Sequence, residues 1–495
     1  MVLDDLLKVI KEYNPDEIER VTKAYKLAEE AHKDQKRESG EPYIIHPLNV
    51  CMNLTKFHAD GATLCAGLLH DVVEDTKYTL EDIENMFDKE VAHLVDGVTK
   101  ISNIHFNSKD EASNHNIRRL INSLNDDTRI IIIKLCDRLH NMQTLIHKAP
   151  EKRIRSAEET LNIFVPLAYF IGAYRIKCDL EDICLSYLDP QAFKEIDNKR
   201  NEVMESYQEC LDQVEKDVAE ILKDNNIKYE SRIKILNVFQ IYKKINNKYK
   251  ISDIHDLVNL KISVETEDEC YRVLGLIHRL YTPINNKFKD YIACPKTNMY
   301  QSLHTTVIAP CNKILQVQIK TKDMDNKNTF GLGSYWMKYK GEGYSMMQKD
   351  LIKNYQFFAT LQDLNEITLS DKDFIEQVKK EVFTSNIYVY TLSGEIVELP
   401  LGATAIDFAY KIHTDYGNHL YKVYVNGKEV KITHKLKDKD RIFVVKKDSV
   451  HPQESWLANA ITTNAIRKIK ESLRKDNWYL FFFYAIYHES KHILN

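Results

Sequence analysis

Two histidines and two aspartates in the first third of the chain could together bind a divalent metal ion. His46 precedes Pro47 where a helical pattern begins, His70 and Asp71 are adjacent in LLHDVVEDT, and Asp137 follows the apolar run IIIIKLC. Imidazole nitrogens and carboxylate oxygens form a mixed ligand set that suits Mn²⁺, Fe²⁺ or Zn²⁺. One such histidine alone is more often a capping or surface residue. The His-Asp pair strengthens the set, because an unpaired charge would be costly within the apolar helix that its neighbours predict.

A second pair of carboxylates and one cation follow the same region of the sequence. Glu74 and Asp75 come three to five residues after the His-Asp pair, so on a helix at least one of them faces the metal side. Such carboxylates could orient or deprotonate a water molecule, although an ordinary solvated acidic face has the same pattern. Arg37 lies nine residues before His46 and could hold a phosphate, or it is a surface arginine.

Elements of three kinds must position these residues. The length of 495 residues predicts roughly three domains. Apolar residues recur at helical spacing at first, β-branched segments follow, and strand patterns then flank one helix, with Asn426-Gly427 as the clearest turn signal. The predicted segments are an all-α domain at 1–195, an α/β domain at 196–345, a helical linker at 346–385, an α+β module of β-grasp type at 386–448 and a helical segment at 449–495.

Composition excludes several classes of protein. Hydrophobic residues make up 43% and charged residues 29%, which argues against collagenous and disordered chains. The net charge of −4 provides no overall positive field for nucleic acid. Nine cysteines without a CxxC pair fit a reducing compartment, and the longest apolar run, Trp478 to Tyr487, is too short for the ~20 residues of a membrane span. We therefore expect a cytoplasmic protein without membrane contact.

Three segments of the first domain closely resemble the HD motifs of the RelA/SpoT homologues, bacterial enzymes that make and degrade the alarmone (p)ppGpp. They are AHKDQKRESGEPYIIHPLNV, LLHDVVEDT and IIIKLCDRLHNMQTL. The resemblance continues through KFKDYIACPKTNMYQSLHTTVIAP and the TGS-like IVELPLGATAIDFAYKIHTDYGNHL, so it covers nearly the whole chain. It implies an HD-type hydrolase domain, a nucleotidyltransferase-like synthetase domain and a TGS domain.

The resemblance also implies roles for individual residues of the first domain. The metal, usually manganese in the family, would be bound by His46, His70, Asp71 and Asp137, with Glu74 and Asp75 as catalytic carboxylates and Arg37, Ser39, Asn141 and Thr144 as nucleotide contacts. Two departures remove positive charge beside an anionic substrate, since Glu38 replaces a usual lysine and Gln143 a usual arginine.

The synthetase-like domain departs further from the family pattern. Gln316 stands where the family has an acidic residue, and an amide can neither accept the proton of a ribose hydroxyl nor supply anionic charge to Mg²⁺. Lys261 and Lys287 replace arginines, and Tyr335 replaces a histidine. We therefore expect this domain to be inactive in synthesis.

Other residues of the same pocket match the family. Asp256 is retained, and so are Tyr300, on which the family stacks a guanine base, and His304. These residues either form a guanine-nucleotide pocket that turns nothing over, or they serve packing alone.

The resemblance predicts a Mn²⁺-dependent (p)ppGpp 3′-pyrophosphohydrolase of the stringent response, which releases GDP or GTP and pyrophosphate. Two alternatives remain open: a bifunctional enzyme with weak synthesis, which would need Mg²⁺ as well, and a non-catalytic nucleotide-sensing regulator. Protein partners could bind through the TGS domain, whereas nothing in the sequence supports a ribosome contact.

Overall fold

The computed structural model describes residues 3–102, 118, 127–246, 250–251, 254–285, 287–293, 295–296, 300–334, 364–365, 370, 373–374, 376–377 and 386–474. The chain divides into two compact units, one of Met1–Phe106 with Arg119–Tyr355 and the other of Asn107–Arg118 with Gln356–Asn495. Tyr335, most of the predicted linker and the aromatic run near the C-terminus lie outside the described residues. Within the described ranges, no helix has the length and apolar character needed to cross a bilayer.

The first part of the chain is helical, as its apolar spacing predicts. Side chains cap several helices: the Asp60 carboxylate accepts from the amide of Thr63, and Asp127 accepts from that of Arg129. The helices are α1 (Leu3–Tyr13), α2 (Ile18–Ala31), α3 (Ile45–Thr55), α4 (Gly61–Leu69), α5 (Val72–Asp75), α6 (Leu80–Met86), α7 (Lys89–Ser102), α8 (Thr128–Gln143), α9 (Pro150–Glu159), α10 (Val165–Phe170) and α11 (Tyr174–Leu188).

The helix that carries the His-Asp pair is interrupted, which corrects the expectation of one continuous apolar helix. Helix α4 ends at Leu69, His70 and Asp71 form a turn, and α5 begins at Val72. Successive side chains of a regular helix point about 100° apart. The turn instead brings His70 Nε2 to within 3.1 Å of Asp71 Oδ2.

A mixed sheet organises the second part of the same unit. Its strand order is β1-β2-β6-β5-β3, with β4 paired to β5; β2 and β6 run parallel and the other pairs are antiparallel. The elements are α12 (Pro190–Asp224), β1 (Glu230–Ile235), α13 (Val238–Asn246), β2 (Val258–Val264), α14 (Glu267–Leu280), β3 (Thr282–Pro283), β4 (Lys289–Asp290), β5 (Leu303–Ala309), β6 (Lys313–Thr321) and α15 (Lys322–Phe330). Helix α12 crosses the boundary predicted at 195, and its buried residues from Ile196 onward pack against this sheet.

The second unit has the predicted order of two strands, a helix and further strands, but a second short helix follows the first, and three strands rather than two come after it. Asn426 and Gly427 both have positive φ, as the predicted tight turn requires. Trp456 and Ile469 join the same core, so the chain after the module packs on it. The elements are β7 (Asn386–Tyr390), β8 (Ile396–Pro400), α16 (Ala405–Ile412), α17 (Thr414–Asn418), β9 (Leu420–Val425), β10 (Lys428–Val430), β11 (Ile442–Lys446) and α18 (Glu454–Leu457), followed by a helix at 463–474.

Candidate metal centre

Three of the four predicted metal ligands converge inside the helical domain. His46 comes from the first turn of α3, His70 from the turn after α4, and Asp137 from α8. One ligand atom from each residue lies within 4.8 Å of the other two, and all three residues are buried. His46 Nε2 lies 3.2 Å from Asp137 Oδ1. The structure thus brings together two imidazoles and one carboxylate that the sequence separates by up to 91 residues.

Asp71, the fourth predicted ligand, lies at the edge of this group. Its Oδ2 is 3.1 Å from His70 Nε2 and 3.6 Å from His46 Nε2, and its side chain is 15% exposed. It is the most exposed of the four predicted ligands. Together the four residues offer two nitrogens and two carboxylates.

The residues present fit a divalent cation. Nε2 of His70 is buried and, among the described residues, makes no hydrogen bond of acceptable geometry. Nδ1 of the same ring lies 2.9 Å from the carbonyl oxygen of Gly67, which fixes the tautomer and turns Nε2 inward. A buried nitrogen with a fixed direction, whose nearest polar neighbours are carboxylate oxygens, is the arrangement that a metal ligand needs.

A glycine lies where helices α3 and α4 pack closely together. A Cβ atom on Gly67 would lie 2.5 Å from Leu54 Cδ1 of α3, so a larger residue would require the Leu54 side chain to shift. The same residue supplies the carbonyl that orients His70.

The ionisable groups of the site set one another's charge states. Burial and the neighbouring His70 lower the pKa of His46 more than Asp137 raises it, so His46 is neutral as a ligand must be. Burial alone would lower the pKa of His70 as well, but the Asp71 carboxylate outweighs it and raises that pKa to about 9. Burial would raise the pKa of Asp137, yet the Lys134 ammonium, 2.6 Å from Oδ2, holds it well below its usual range. The carboxylates therefore stay anionic, and a cation would take the place of the His70 proton.

The two predicted catalytic carboxylates lie on α5, beside the ligand cluster, and both are exposed. Burial of part of the side chain, with the charges of Asp71 and Asp75, raises the pKa of Glu74. Asp75 Oδ2 lies 3.2 Å from the hydroxyl of Tyr43. Both carboxylates can therefore reach solvent next to the ligands.

Three of the four predicted nucleotide contacts also meet. One guanidinium nitrogen of Arg37 donates to Asn141 Oδ1 at 2.9 Å and to Thr144 Oγ1 at 3.3 Å. Asn141 Nδ2 in turn donates to Asp137 Oδ1, so the Arg37 guanidinium is linked through Asn141 to a predicted metal ligand. Ser39 lies in the same loop as Arg37 and donates to Glu41 at 3.2 Å.

The residues of the second predicted pocket lie on or beside three neighbouring strands of the sheet: Asp256 precedes β2, Tyr300 and His304 lie at the start of β5, and Gln316 lies on β6. The Tyr300 hydroxyl and His304 Nε2 are 2.8 Å apart, which is a hydrogen bond. Burial first, and then the surrounding lysines, lower the pKa of His304 to about 3, so its ring is neutral. Asp256 forms an ion pair with Lys244 at 2.9 Å.

Three amide side chains form a hydrogen-bonded ladder at the position where the family resemblance predicts a carboxylate. Gln318 Nε2 donates to Gln316 Oε1 at 2.9 Å on β6 and to Asn259 Oδ1 at 3.1 Å on β2. The Asn259 amide donates onward to the backbone carbonyl of Asp256. These side chains hydrogen-bond to one another and bring no negative charge.

Several lysine and arginine side chains lie close together on β1, β2 and β6. Lys320 is fully buried and pairs with Asp325 at 2.6 Å, and the same carboxylate accepts from Arg232. Burial first, and then Lys320 and Lys234, lower the pKa of Lys261 to about 7. One carboxylate thus serves several cations, and such a surface favours an anionic ligand.

Three family models match successive segments of the chain. A family model for the HD domain matches residues 24–173, a model for a region found in RelA / SpoT proteins matches residues 231–344, and a TGS domain model matches residues 387–446. The chain is 38% identical over 478 residues to the guanosine-3′,5′-bis(diphosphate) 3′-pyrophosphohydrolase of Aquifex aeolicus, covering 95% of this chain and 67% of that protein. This chain belongs to the RelA/SpoT homologue family.

Other RelA/SpoT homologues are similarly close. Identity is 39% over 475 residues to the GTP pyrophosphokinase of Myxococcus xanthus, covering 94% of this chain and 62% of that protein. It is 37% over 475 residues to the bifunctional (p)ppGpp synthase/hydrolase SpoT of Escherichia coli K12, covering 96% and 67%. The chain thus spans about two thirds of the length of these relatives. The small alarmone synthetase 2 of Bacillus subtilis is a similar solved structure, with 21% identity over 37% of this chain and 98% of that one and a TM-score of 0.26.

These matches confirm the predicted family and the predicted fold class of HD, synthetase-like and TGS domains. The exact domain boundaries and the roles of the individual site residues stay predictions. Sequence reasoning also missed three residues of this RelA/SpoT homologue that contact the ligands: Tyr43, Lys134 and His140. The last two lie three residues before and after Asp137 on α8, so helical spacing could have found them. His140 Nδ1 lies 2.7 Å from His46 Nδ1 and orients that ring.

Proposed function

We propose that this RelA/SpoT homologue is a metal-dependent (p)ppGpp 3′-pyrophosphohydrolase with a synthetase-like domain that does not synthesise. The observation that carries the proposal is the buried convergence of His46, His70 and Asp137, with Asp71 beside them. In the proposed reaction, the bond between the 3′ oxygen of the ribose and its phosphorus breaks. Water supplies a hydroxyl group to the pyrophosphate and a proton to the 3′ oxygen, so GDP or GTP is released.

The metal ion, which we propose to be Mn²⁺, would act as a Lewis acid and lower the pKa of bound water. Glu74 and Asp75 orient the water and accept its proton, since both reach solvent beside the ligands. Arg37 balances phosphate charge, while Asn141 and Thr144 fix its guanidinium. Ser39, on the same loop, adds a hydroxyl for the substrate.

The bifunctional alternative draws support from the names of the Myxococcus xanthus and Escherichia coli relatives. The amide ladder of Gln316 and Gln318 speaks against it, because transfer from ATP needs Mg²⁺ and a proton acceptor for the 3′ hydroxyl. Tyr300, His304 and the neighbouring lysines would still suit a guanine nucleotide as a bound ligand. We further propose a cytoplasmic location and protein contacts through the TGS domain.

The experiment is incubation of the purified chain with ppGpp and Mn²⁺, with chromatographic separation of GDP, pyrophosphate and ppGpp. We expect GDP and pyrophosphate in equal amounts, and no reaction after chelation of the metal. The nucleotide-sensing alternative predicts intact ppGpp in both samples.

A further inference from the structure

The hydroxyl of Tyr43 links two carboxylates to which the proposed function gives different tasks. It lies 2.8 Å from Oδ2 of Asp71, a predicted metal ligand, and 3.2 Å from Oδ2 of Asp75, a predicted catalytic group. Among the described residues, Tyr43 makes the one hydrogen bond found for the Asp75 carboxylate. A phenol has a single hydrogen, so the hydroxyl serves both oxygens only by turning between them.

The ring of Tyr43 is held from several sides. It stacks on His32 with ring centroids 4.5 Å apart, and its edge meets His46 at 6.0 Å. The guanidinium of Arg37 lies over it at 5.8 Å. Because the ring cannot shift without disturbing these contacts, the position of its hydroxyl is fixed by packing rather than by the carboxylates.

The loop that carries Tyr43 also holds the end of α5. Gln35 Nε2 donates to the backbone carbonyl of Asp75 at 2.9 Å, and His32 Nδ1 lies 2.7 Å from Gln35 Oε1. The Tyr43 amide donates to the carbonyl of Gln35. One loop therefore contacts Asp75 both at its backbone and at its side chain.

We propose that Tyr43 is a positioning residue for the hydrolytic reaction, and that it acts through Asp75. This inference rests on the proposed function. Asp75 is exposed and lies on a helix of four residues, so without a partner its carboxylate would sample several rotamers. A displacement of about 1 Å in a reacting group costs on the order of 100-fold in rate. The hydrogen bond from the hydroxyl restricts the Asp75 carboxylate to a place near Asp71.

The test compares Tyr43→Phe with the unmodified chain in ppGpp hydrolysis. Phenylalanine keeps the stacking on His32 and removes only the hydroxyl. We expect kcat to fall about 10–100-fold, the range for groups that orient reacting residues, with little change in KM and an unchanged melting temperature. Tyr25→Phe is the matched control, because Tyr25 also donates to a carboxylate, that of Glu29, but on α2. It should retain full activity.

A double-mutant cycle with Asp75→Asn separates positioning from general disturbance. If the hydroxyl acts through Asp75, adding Tyr43→Phe to Asp75→Asn lowers kcat little further. Independent, multiplying losses would overturn the inference, and so would equal kcat in Tyr43→Phe and the unmodified chain. An unmodified chain that leaves ppGpp intact would instead refute the proposed function, and the inference with it.

Discussion

The two pockets of this RelA/SpoT homologue differ in how their polar groups are satisfied. In the HD domain, the carboxylates of Asp71 and Asp137 face the buried Nε2 of His70, and the site favours a cation. In the synthetase-like domain, Gln316 and Gln318 satisfy each other, and the surplus charge nearby is positive. Both pockets belong to domains that match the same family. Their capacity to bind a metal ion depends instead on the charged side chains that each pocket contains.

The largest effect should come from removing a metal ligand. His70→Ala or Asp71→Ala deletes one member of the four-residue set, so bound metal and ppGpp hydrolysis should be lost together. Metal analysis and the hydrolysis assay on the same preparations check this. The control is His93→Ala, an exposed histidine on α7. Full Mn²⁺ occupancy in both ligand variants would contradict the assignment.

A smaller loss should follow from the catalytic carboxylates. Glu74→Gln combined with Asp75→Asn keeps the ligands and removes the proton acceptors, so metal content should persist while turnover falls at least ~100-fold. Glu81→Gln with Glu84→Gln, a matched exposed pair on α6, should have no effect. Undiminished turnover in the first double variant would identify Glu74 and Asp75 as ordinary surface residues.

Replacing Lys261, one of the surplus cations of the second pocket, should stabilise the folded protein, and this gain should depend on pH. The pKa of Lys261 is lowered to about 7 by burial and by neighbouring cations, so its charged form is penalised in the folded state. This penalty appears as pH falls from 10.5 to 7 and is complete below 7. Lys261→Met should therefore raise the melting temperature at pH 6, by about 2–4 °C for each kcal/mol gained, and much less at pH 10.

Calorimetry at both pH values measures this shift, with the exposed Lys250→Met as control. A lower melting temperature at pH 6 would mean that the Lys261 ammonium is paired. In that case the pocket would not have the unbalanced charge described above.

The smallest effect is expected from replacing one residue of the pocket that we propose is inactive in synthesis. Gln316→Glu alone should not restore synthesis, because Lys261 and Lys287 still lack the bidentate geometry with which arginine holds triphosphate oxygens. Groups that act jointly recover little when one of them is repaired. The assay is transfer of label from ATP to GDP with Mg²⁺ in an Asp71→Ala background. Substantial product would show that Gln316 is the single defect.

Much of the candidate metal centre could be predicted from the sequence, because its ligands lie in motifs with distinctive neighbours. The break between α4 and α5 could not, since no glycine or proline marks it in LLHDVVED, and the contact of His70 Nδ1 with the carbonyl of Gly67 is known only from the structure. The role of Tyr43 depends on contacts with residues 28 and 32 positions away. Likewise, the amide ladder joins Gln318 to Asn259 across two strands that are distant in sequence.

We propose that the HD domain hydrolyses ppGpp and that the synthetase-like domain does not synthesise it. The most direct measurement follows labelled nucleotide in two parallel reactions: the unmodified chain with ppGpp and Mn²⁺, and the Asp71→Ala variant with ATP, GDP and Mg²⁺. We predict release of GDP and pyrophosphate in the first reaction and no ppGpp in the second. Intact ppGpp in the first reaction, or accumulation of ppGpp in the second, would contradict the account.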